Sequence, residues 1–233
     1  MARPMYSWSY SALNMYENCP RKYWAVKIKK VNDNNKFNMQ GDVEHKAIEN
    51  FLKHGDPLPQ SMQSMAPLLQ AVKAAPGELY VEKKLTLDDQ LVPCLWNDWD
   101  KAWVRGAGDL IKVNGSLATY LDWKSGKAKG DDDVVDQVET TAALLFRHFP
   151  AVQTLKAGVY FYRFDRMARH TVTANDAPRI WNGLYARLQP ITESYQTDNW
   201  PMKPNPLCAY CPYLACPNNT TNERLAREAA KVR

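Results

Sequence analysis

Gly106-Ala107-Gly108-Asp109-Leu110-Ile111-Lys112-Val113-Asn114-Gly115-Ser116-Leu117-Ala118-Thr119-Tyr120-Leu121-Asp122-Trp123-Lys124 is the stretch whose reading decides the fold. Residues 102–113 and 116–122 read as two strands. Asn114-Gly115 between them is the best hairpin signal in the chain, because Asn and Gly enter the left-handed backbone region that a tight turn needs. Asp122 and Lys124 stand two apart, so in a strand they share a face. Asp109 lies on the preceding strand of the same hairpin, and pairing across the turn brings the two aspartates close together. Two hard oxygen donors suit Mg²⁺ or Mn²⁺. The ammonium of Lys124 can offset charge on a phosphate or orient an attacking water. Acid-x-Lys alone is weak evidence: Glu44-His45-Lys46 and Glu82-Lys83-Lys84 match it too, and neither has an acid placed before it as Asp109 is.

Working outward, Ser9 caps a short helix that ends near Cys19-Pro20. Residues 39–54 turn helical, with Val43, Ala47, Ile48 and Phe51 on one face, and Gly55-Asp56-Pro57 ends the helix. The Pro/Ser/Met-rich residues 57–76 read as a loose helix or an insertion. Residues 78–87 alternate as a first strand. A helix follows over 133–149, with Asp131, Asp132, Asp133 and Asp136 in or before its first turn. There they favour the helix dipole, a structural role. Residues 156–164 read as a buried strand, 169–173 as its hairpin partner, and 176–193 as a helix. The core order is helix, three strands, helix, strand. That is an α/β fold with a mixed central sheet flanked by helices.

Five cysteines are present. Cys208-x-x-Cys211-x-x-x-x-Cys216 is spaced like a ligand set, and three thiolates need a fourth to complete a tetrahedral Zn²⁺ or a four-iron cluster. Cys19 is the candidate from the other end of the chain, and such a link would join the N- and C-terminal segments by closing a long loop. Proline follows Cys19, Cys211 and Cys216, a pairing that recurs in iron–sulfur ligation. Zinc and a disulfide remain open on spacing alone. Cys94 reads as a buried apolar residue.

The 233 residues, 45% hydrophobic and 24% charged, exclude wholesale disorder. No run approaches the ~18 apolar residues of a membrane helix, and residues 1–6 lack the apolar core of a signal peptide. The expectation is a cytoplasmic protein with no membrane partner and no disulfide framework. The net charge of +5 is uneven: residues 1–30 hold six Lys/Arg against one acid, while 31–200 hold 19 basic and 22 acidic residues. Basic ends around an acidic centre suit a polyanion held over a metal site. Tyr6, Trp8, Tyr10, Tyr16, Tyr23 and Trp24 crowd the N-terminus among Arg21, Lys22 and Lys27. Tyr16 and Tyr23 read as packing residues, and Arg21 and Lys22 as candidates for phosphate contact.

In this order the motifs resemble the PD-(D/E)XK nuclease superfamily, in its RecB-type branch, over nearly the whole chain. Tyr6-Ser7-x-Ser9-x-x-x-Leu13-x-x-Tyr16-x-x-Cys19-Pro20-x-x-Tyr23 is similar to that branch's N-terminal signature. Gly41-x-x-x-His45-x-x-Ile48-Glu49 resembles its first motif, Gly106-Ala107-Gly108-Asp109 the motif of the first metal aspartate, and Asp122-Trp123-Lys124-Ser125-Gly126 its Asp-Tyr-Lys-Thr-Gly. Gln137 resembles the glutamine of the following helix. Two positions depart: Gly108 stands where an aliphatic residue is usual, and Thr141 where a tyrosine follows the glutamine.

The resemblance implies a restriction-endonuclease-like core, α-β-β-β-α-β, in a single nuclease domain over 1–233. Residues 1–30 and 199–219 would form a cluster subdomain around a core of 36–198, and 220–233 a terminal helix. It implies a Mg²⁺- or Mn²⁺-dependent deoxyribonuclease, an exonuclease rather than an endonuclease, for recombination, repair or CRISPR-type DNA processing. The cation would be held by His45, Asp109, Asp122 and the Trp123 carbonyl, with Lys124 and Gln137 completing the catalytic set. One N-terminal cysteine with a C-terminal trio is the arrangement of the branch's iron–sulfur members, which implies a [4Fe-4S] cluster on Cys19, Cys208, Cys211 and Cys216, with Zn²⁺ as the alternative. The implied partners are DNA, single-stranded or with free ends, and a recombination or CRISPR partner protein. The competing readings are a non-cutting nucleic-acid-binding module and a zinc-stabilised structural protein. Glu82, on the first strand, has no place fixed by sequence.

Overall fold

A computed structural model of the chain describes residues 5–33 and 36–230. β1 (Glu78–Leu87), β2 (Val104–Asn114), β3 (Leu117–Lys124), β4 (Thr154–Phe161) and β5 (Arg166–Thr173) form one sheet in the order β1-β2-β3-β4-β5. Neighbours are antiparallel except β3 and β4, which are parallel. A parallel pair needs a crossover, and α5 (Val135–His148) supplies it. Val138, Ala142, Ala143 and Leu145 on α5 are almost wholly buried. The α/β fold with a mixed sheet flanked by helices is therefore observed.

The chain divides into two units. The first holds residues 1–8 and 36–185, the second 9–35 and 186–233. In the first, Asn114 pairs with Leu117, and Gly115 takes φ +59 in the turn between them. The β2–β3 ladder stops at Leu110 opposite Leu121, so Asp109 and Asp122 stand just past its end, while Asp122 stays in register with Val159 of β4. On the far side of β2, Val81 faces Leu110 and Lys83 faces Gly108, so Glu82 stands across from Asp109.

Residues 57–76, read as a loose helix or an insertion, are largely helical and packed into the core. A 3₁₀ turn (Gln60–Met65) runs into α4 (Ala66–Ala74). Met62, Met65 and Leu69 are at most 1% exposed and share a core cluster with Leu110, Leu121, Trp123 and, from α3 (Lys36–His54), Ile48 and Leu52. Each such side chain contributes about 1.5–3 kcal/mol of burial. The last carbonyls of α4 have no partner within the helix, and the buried Lys112 of β2 donates to two of them, Val72 O and Lys73 O, both at 3.0 Å. The aspartates at the start of α5 have structural roles: Asp136 lies in its first turn, where it favours the helix dipole, and two others tie down backbone. Asp131 accepts the Arg169 N–H on the edge strand β5 at 2.8 Å, and Asp133 accepts the Gly130 N–H at 2.9 Å.

In the second unit, Ser9 caps α1 (Tyr10–Asn18) by accepting the Ala12 N–H at 3.2 Å. α2 (Pro20–Tyr23) continues into a π-helical turn (Trp24–Ile28). α6 (Ala177–Thr197) belongs to this unit from Ala186 onward and runs through Pro190, whose carbonyl accepts from the Tyr16 hydroxyl at 2.6 Å. Tyr23 is buried and stacked on Trp200, so both tyrosines pack as expected. Arg187 grips Glu17 with two bonds of 2.7 and 2.9 Å. α7 (Thr221–Ala230) follows the cysteine trio. No helix among the described residues is long and apolar enough to cross a membrane.

Candidate active site

Four elements converge where the β2–β3 ladder ends. Asp109 is buried, and one of its oxygens, Oδ2, accepts the Trp123 N–H at 3.0 Å. An extended residue points its N–H and C=O to the same edge, so the Trp123 carbonyl lies on the strand edge that faces Asp109. The other oxygen, Oδ1, lies 3.5 Å from His45 Nδ1 on α3. Glu82 Oε1 stands 4.0 Å from the same nitrogen. Ligand atoms of His45, Glu82 and Asp109 all lie within 4.8 Å of one another, the one such group of three or more among the described residues.

Asp122 is buried beside them. Its Oδ1 accepts from Gln137 Nε2 at 2.9 Å, from the Tyr120 hydroxyl at 3.1 Å and from Lys124 Nζ at 3.1 Å. Its Oδ2 is 2.9 Å from Lys124 Nζ but makes no hydrogen bond of good geometry. A carboxylate oxygen that is buried, charged and poorly satisfied fits a cation ligand.

The electrostatics are those of crowded acids. Burial pushes the Asp122 carboxyl up, the Asp109 charge adds to this, and Lys124 opposes it. Burial and then Asp109 push Glu82 up. The bond to Asp109 raises His45 against its own burial. Three acids crowded together, with an imidazole facing them, make an anionic pocket that suits a cation.

The structure thus brings together His45, Asp109, Asp122, Trp123, Lys124 and Gln137. Sequence reasoning singled out Glu82 near the site without placing it, and missed Tyr120. Glu82 holds φ +56 in the middle of β1, a left-handed conformation that costs a residue of this type about 1–3 kcal/mol and concentrates at functional sites. Tyr120 donates to Asp122 from β3, and Thr141 lies at hydrogen-bonding distance from that phenol. Thr141, where the resembled motif has a tyrosine, thus meets a phenol supplied by β3. The signal for Tyr120 was available, since it lies two residues before Asp122 on the same strand face. Gly108 also has a local cause: a Cβ there would lie 2.7 Å from Ile111 Cδ1, so the isoleucine occupies the space an aliphatic residue would need.

A family profile described as the PD-(D/E)XK nuclease superfamily matches residues 7–216. The chain belongs to the PD-(D/E)XK nuclease superfamily. Members of this superfamily are nucleases that use divalent metals. No curated protein matches the chain. A solved structure described as "Crystal structure of SSO0001" is similar at 14% identity, over 91% of this chain and 87% of that one, with a TM-score of 0.45.

In the second unit of this PD-(D/E)XK chain, Cys19, Cys208, Cys211 and Cys216 line one cavity with Arg21, Lys22, Asn18, Asn205 and Asn219. The Asn205 N–H reaches Cys208 Sγ at 3.5 Å, and burial pushes the Cys211 thiol up. No three of these sulfurs lie within 4.8 Å of one another. Cys94 is half-buried in the loop after β1 and does not line this cavity. Arg21 lies over the Trp24 ring at 5.0 Å, and Lys22 pairs with Asp33 at 3.1 Å, so both cationic side chains have protein partners at the rim of the cysteine cavity.

Proposed function

We propose that this chain is a Mg²⁺- or Mn²⁺-dependent deoxyribonuclease, an exonuclease acting on DNA ends or single strands in recombination, repair or CRISPR-type DNA processing. The observation that carries the nuclease reading is the Asp122–Lys124 pair set against His45, Glu82 and Asp109. The choice of exonuclease rests on the RecB-type signature and the cysteine arrangement. The divalent cation would be held by His45, Asp109, Asp122 and the Trp123 carbonyl, with Glu82 as a further donor. When bound, it supplies Lewis-acid charge for a phosphodiester oxygen and makes water more acidic.

The chain's own groups do the rest. Gln137 and Tyr120 both donate to Asp122 Oδ1, which fixes the carboxylate plane and leaves Oδ2 directed at the reacting centre. Lys124, about a third exposed, can hydrogen-bond an attacking water or a phosphate oxygen while Asp122 holds its Nζ in place. The Trp123 N–H orients Asp109. Basic residues at the chain ends, Arg21 and Lys22 among them, contact phosphates. Such electrostatic positioning is worth roughly 10²–10³ in rate per donor.

Residues 1–30 and 199–219 form, in this proposal, a subdomain that holds a [4Fe-4S] cluster, with 36–198 as the nuclease core and 220–233 as a terminal helix. The branch's cysteine arrangement and the prolines after Cys19, Cys211 and Cys216 support iron–sulfur over zinc. The protein works in the cytoplasm with a recombination or CRISPR partner protein.

The test is cleavage of end-labelled linear and of circular single- and double-stranded DNA, with Mg²⁺, Mn²⁺ or EDTA, by wild type and Lys124→Ala. Metal-dependent trimming of linear DNA alone, lost in the variant, supports the proposal. Equal background in both proteins overturns it in favour of the non-cutting binding module. Protein purified anaerobically is brown, with iron and labile sulfide; a colourless protein with one zinc per chain sinks the cluster.

A further inference from the structure

His45 lies where α3 passes from its packed to its exposed half. Ile48 and Leu52 are buried and Ala47 and Phe51 partly so, whereas Met39 and Val43 are 61% and 69% exposed. Most of the apolar packing that fixes the helix therefore lies on the C-terminal side of His45. Just before His45 the tie is polar. Glu44 Oε1 accepts from Arg163 at 2.7 Å and from Gln40 at 3.0 Å, and the Tyr162 hydroxyl lies against the same carboxylate.

Arg163 is presented by a fixed turn between β4 and β5. Asp165 takes φ +48 there and accepts from the Tyr160 hydroxyl at 2.7 Å. Tyr160 and Tyr162 are 6% and 7% exposed and belong to the same core cluster as Ile48 and Leu52. The guanidinium thus reaches α3 from a point anchored in the core.

We infer that Arg163, through Glu44, is a positioning residue that sets the rotation of α3 and so holds His45 against Asp109 and Glu82. The inference rests on the divalent-metal reading of that site. A turn of about 10° about the helix axis moves a ring nitrogen about 6 Å from the axis by roughly 1 Å, while a metal ligand tolerates about 0.2 Å. The charges around His45 are those of Asp109, Glu82, Asp122 and Lys124; Arg163 acts by geometry.

Calorimetric titration with Mn²⁺, in the absence of DNA, tests this on the full chain. Arg163→Gln raises the Mn²⁺ Kd about 10-fold, as loss of an outer partner of a metal ligand does. The cleavage rate at saturating Mn²⁺ stays within about twofold of wild type, and Arg163→Lys restores most of the affinity. Glu44→Gln has the same effect, and the double variant is no worse than either single one, because both break one tie. A folded Arg163→Gln chain with wild-type Mn²⁺ affinity overturns the inference, as does additivity in the double variant. If Arg163→Gln fails to fold, Glu44→Gln and Arg163→Lys carry the test. His45→Ala separates the two ideas: if it weakens Mn²⁺ binding and the Arg163 and Glu44 variants do not, the positioning role alone is lost. If wild type and His45→Ala bind Mn²⁺ alike, the metal reading falls and takes the inference with it.

Discussion

Where the β2–β3 ladder ends, His45, Glu82 and Asp109 stand within 4.8 Å of one another. In the second unit, four cysteines line one cavity, yet no three sulfurs come that close. The first group rides on two strands and a helix whose own packing fixes it; burial and the Trp123 N–H force the acids together against their mutual repulsion. The second rides on a helix cap, a 3₁₀ turn (Pro206–Tyr210) and the loop after it, where polar bonds of Asn205, Asn219, Thr221 and Arg224 set the spacing. A site preformed by the fold is costly to the fold. A site on loops needs its ligand to complete the fold. Substitutions should therefore separate the two regions into one that trades stability for activity and one that supplies stability.

The largest expected effect is on activity. Asp122→Asn removes the anion that Lys124, Gln137 and Tyr120 converge on, and cleavage falls about 10³-fold, some 4 kcal/mol of transition-state stabilisation. The melting temperature does not fall, because the substitution removes a buried charge. Single-turnover cleavage and a thermal melt read the two quantities; a variant that loses both alike would break the comparison.

Next is Cys216→Ser. It removes one ligand of the proposed cluster and lowers stability by about 3 kcal/mol, or roughly 6–12 °C in Tm for a chain of this size. Iron is lost in step, while residual cleavage per folded molecule is kept. An unchanged melt with full iron would show that Cys216 is not a ligand.

Much of this contrast was legible in the sequence, and the reason is local. Asn114-Gly115 sets the hairpin turn, and the hairpin's register follows, so Asp109, Asp122 and Lys124 could be grouped from spacing alone. The helix of His45 was legible from its apolar stripe. What could not be read depended on distant contacts or on backbone that departs from its element. Residues 57–76 could be read as a loose helix or an insertion but not settled, because Met and Pro carry no clear period; only packing in one cluster with Ile48 and Trp123 makes Met62 and Met65 core. Glu82 was unplaced because nothing local signals a left-handed residue inside a strand. The position of Arg163 against Glu44 is set by the β4–β5 turn, 119 residues along the chain.

Glu82 gives the third prediction. Glu82→Asn removes a carboxyl that burial and Asp109 disfavour and substitutes a residue that tolerates φ +56 better. The metal-free protein gains about 1 kcal/mol, as relief of a strained site commonly gives, and its Mn²⁺ affinity drops. Calorimetry and a melt in EDTA check both. A destabilised variant would mean that the fold does not bear the strain of the acid cluster, and the trade between stability and activity would not hold here.

The smallest effect sharpens the comparison by tagging one region. His148 ends α5 in the first unit, and its Nε2 accepts the Thr86 N–H of β1 at 3.0 Å. Burial holds its pKa below the ordinary 6.5. The folded chain therefore takes the proton less readily than the unfolded chain does. The stability this group contributes is fully present above pH 6.5, begins to be lost as the pH falls below that value, and is gone once the pH has passed the lowered folded value. Unfolding by urea between pH 7.5 and 5.5 measures it, with His148→Gln as reference, since a glutamine oxygen can accept the same N–H without titrating. The wild type should lose stability faster than the variant as the pH drops, and the difference should persist in Cys216→Ser, where only the second unit is weakened. If the difference vanishes in the cysteine variant, the two units do not unfold independently, and the cluster's contribution extends to the sheet as well as to the loops that hold it.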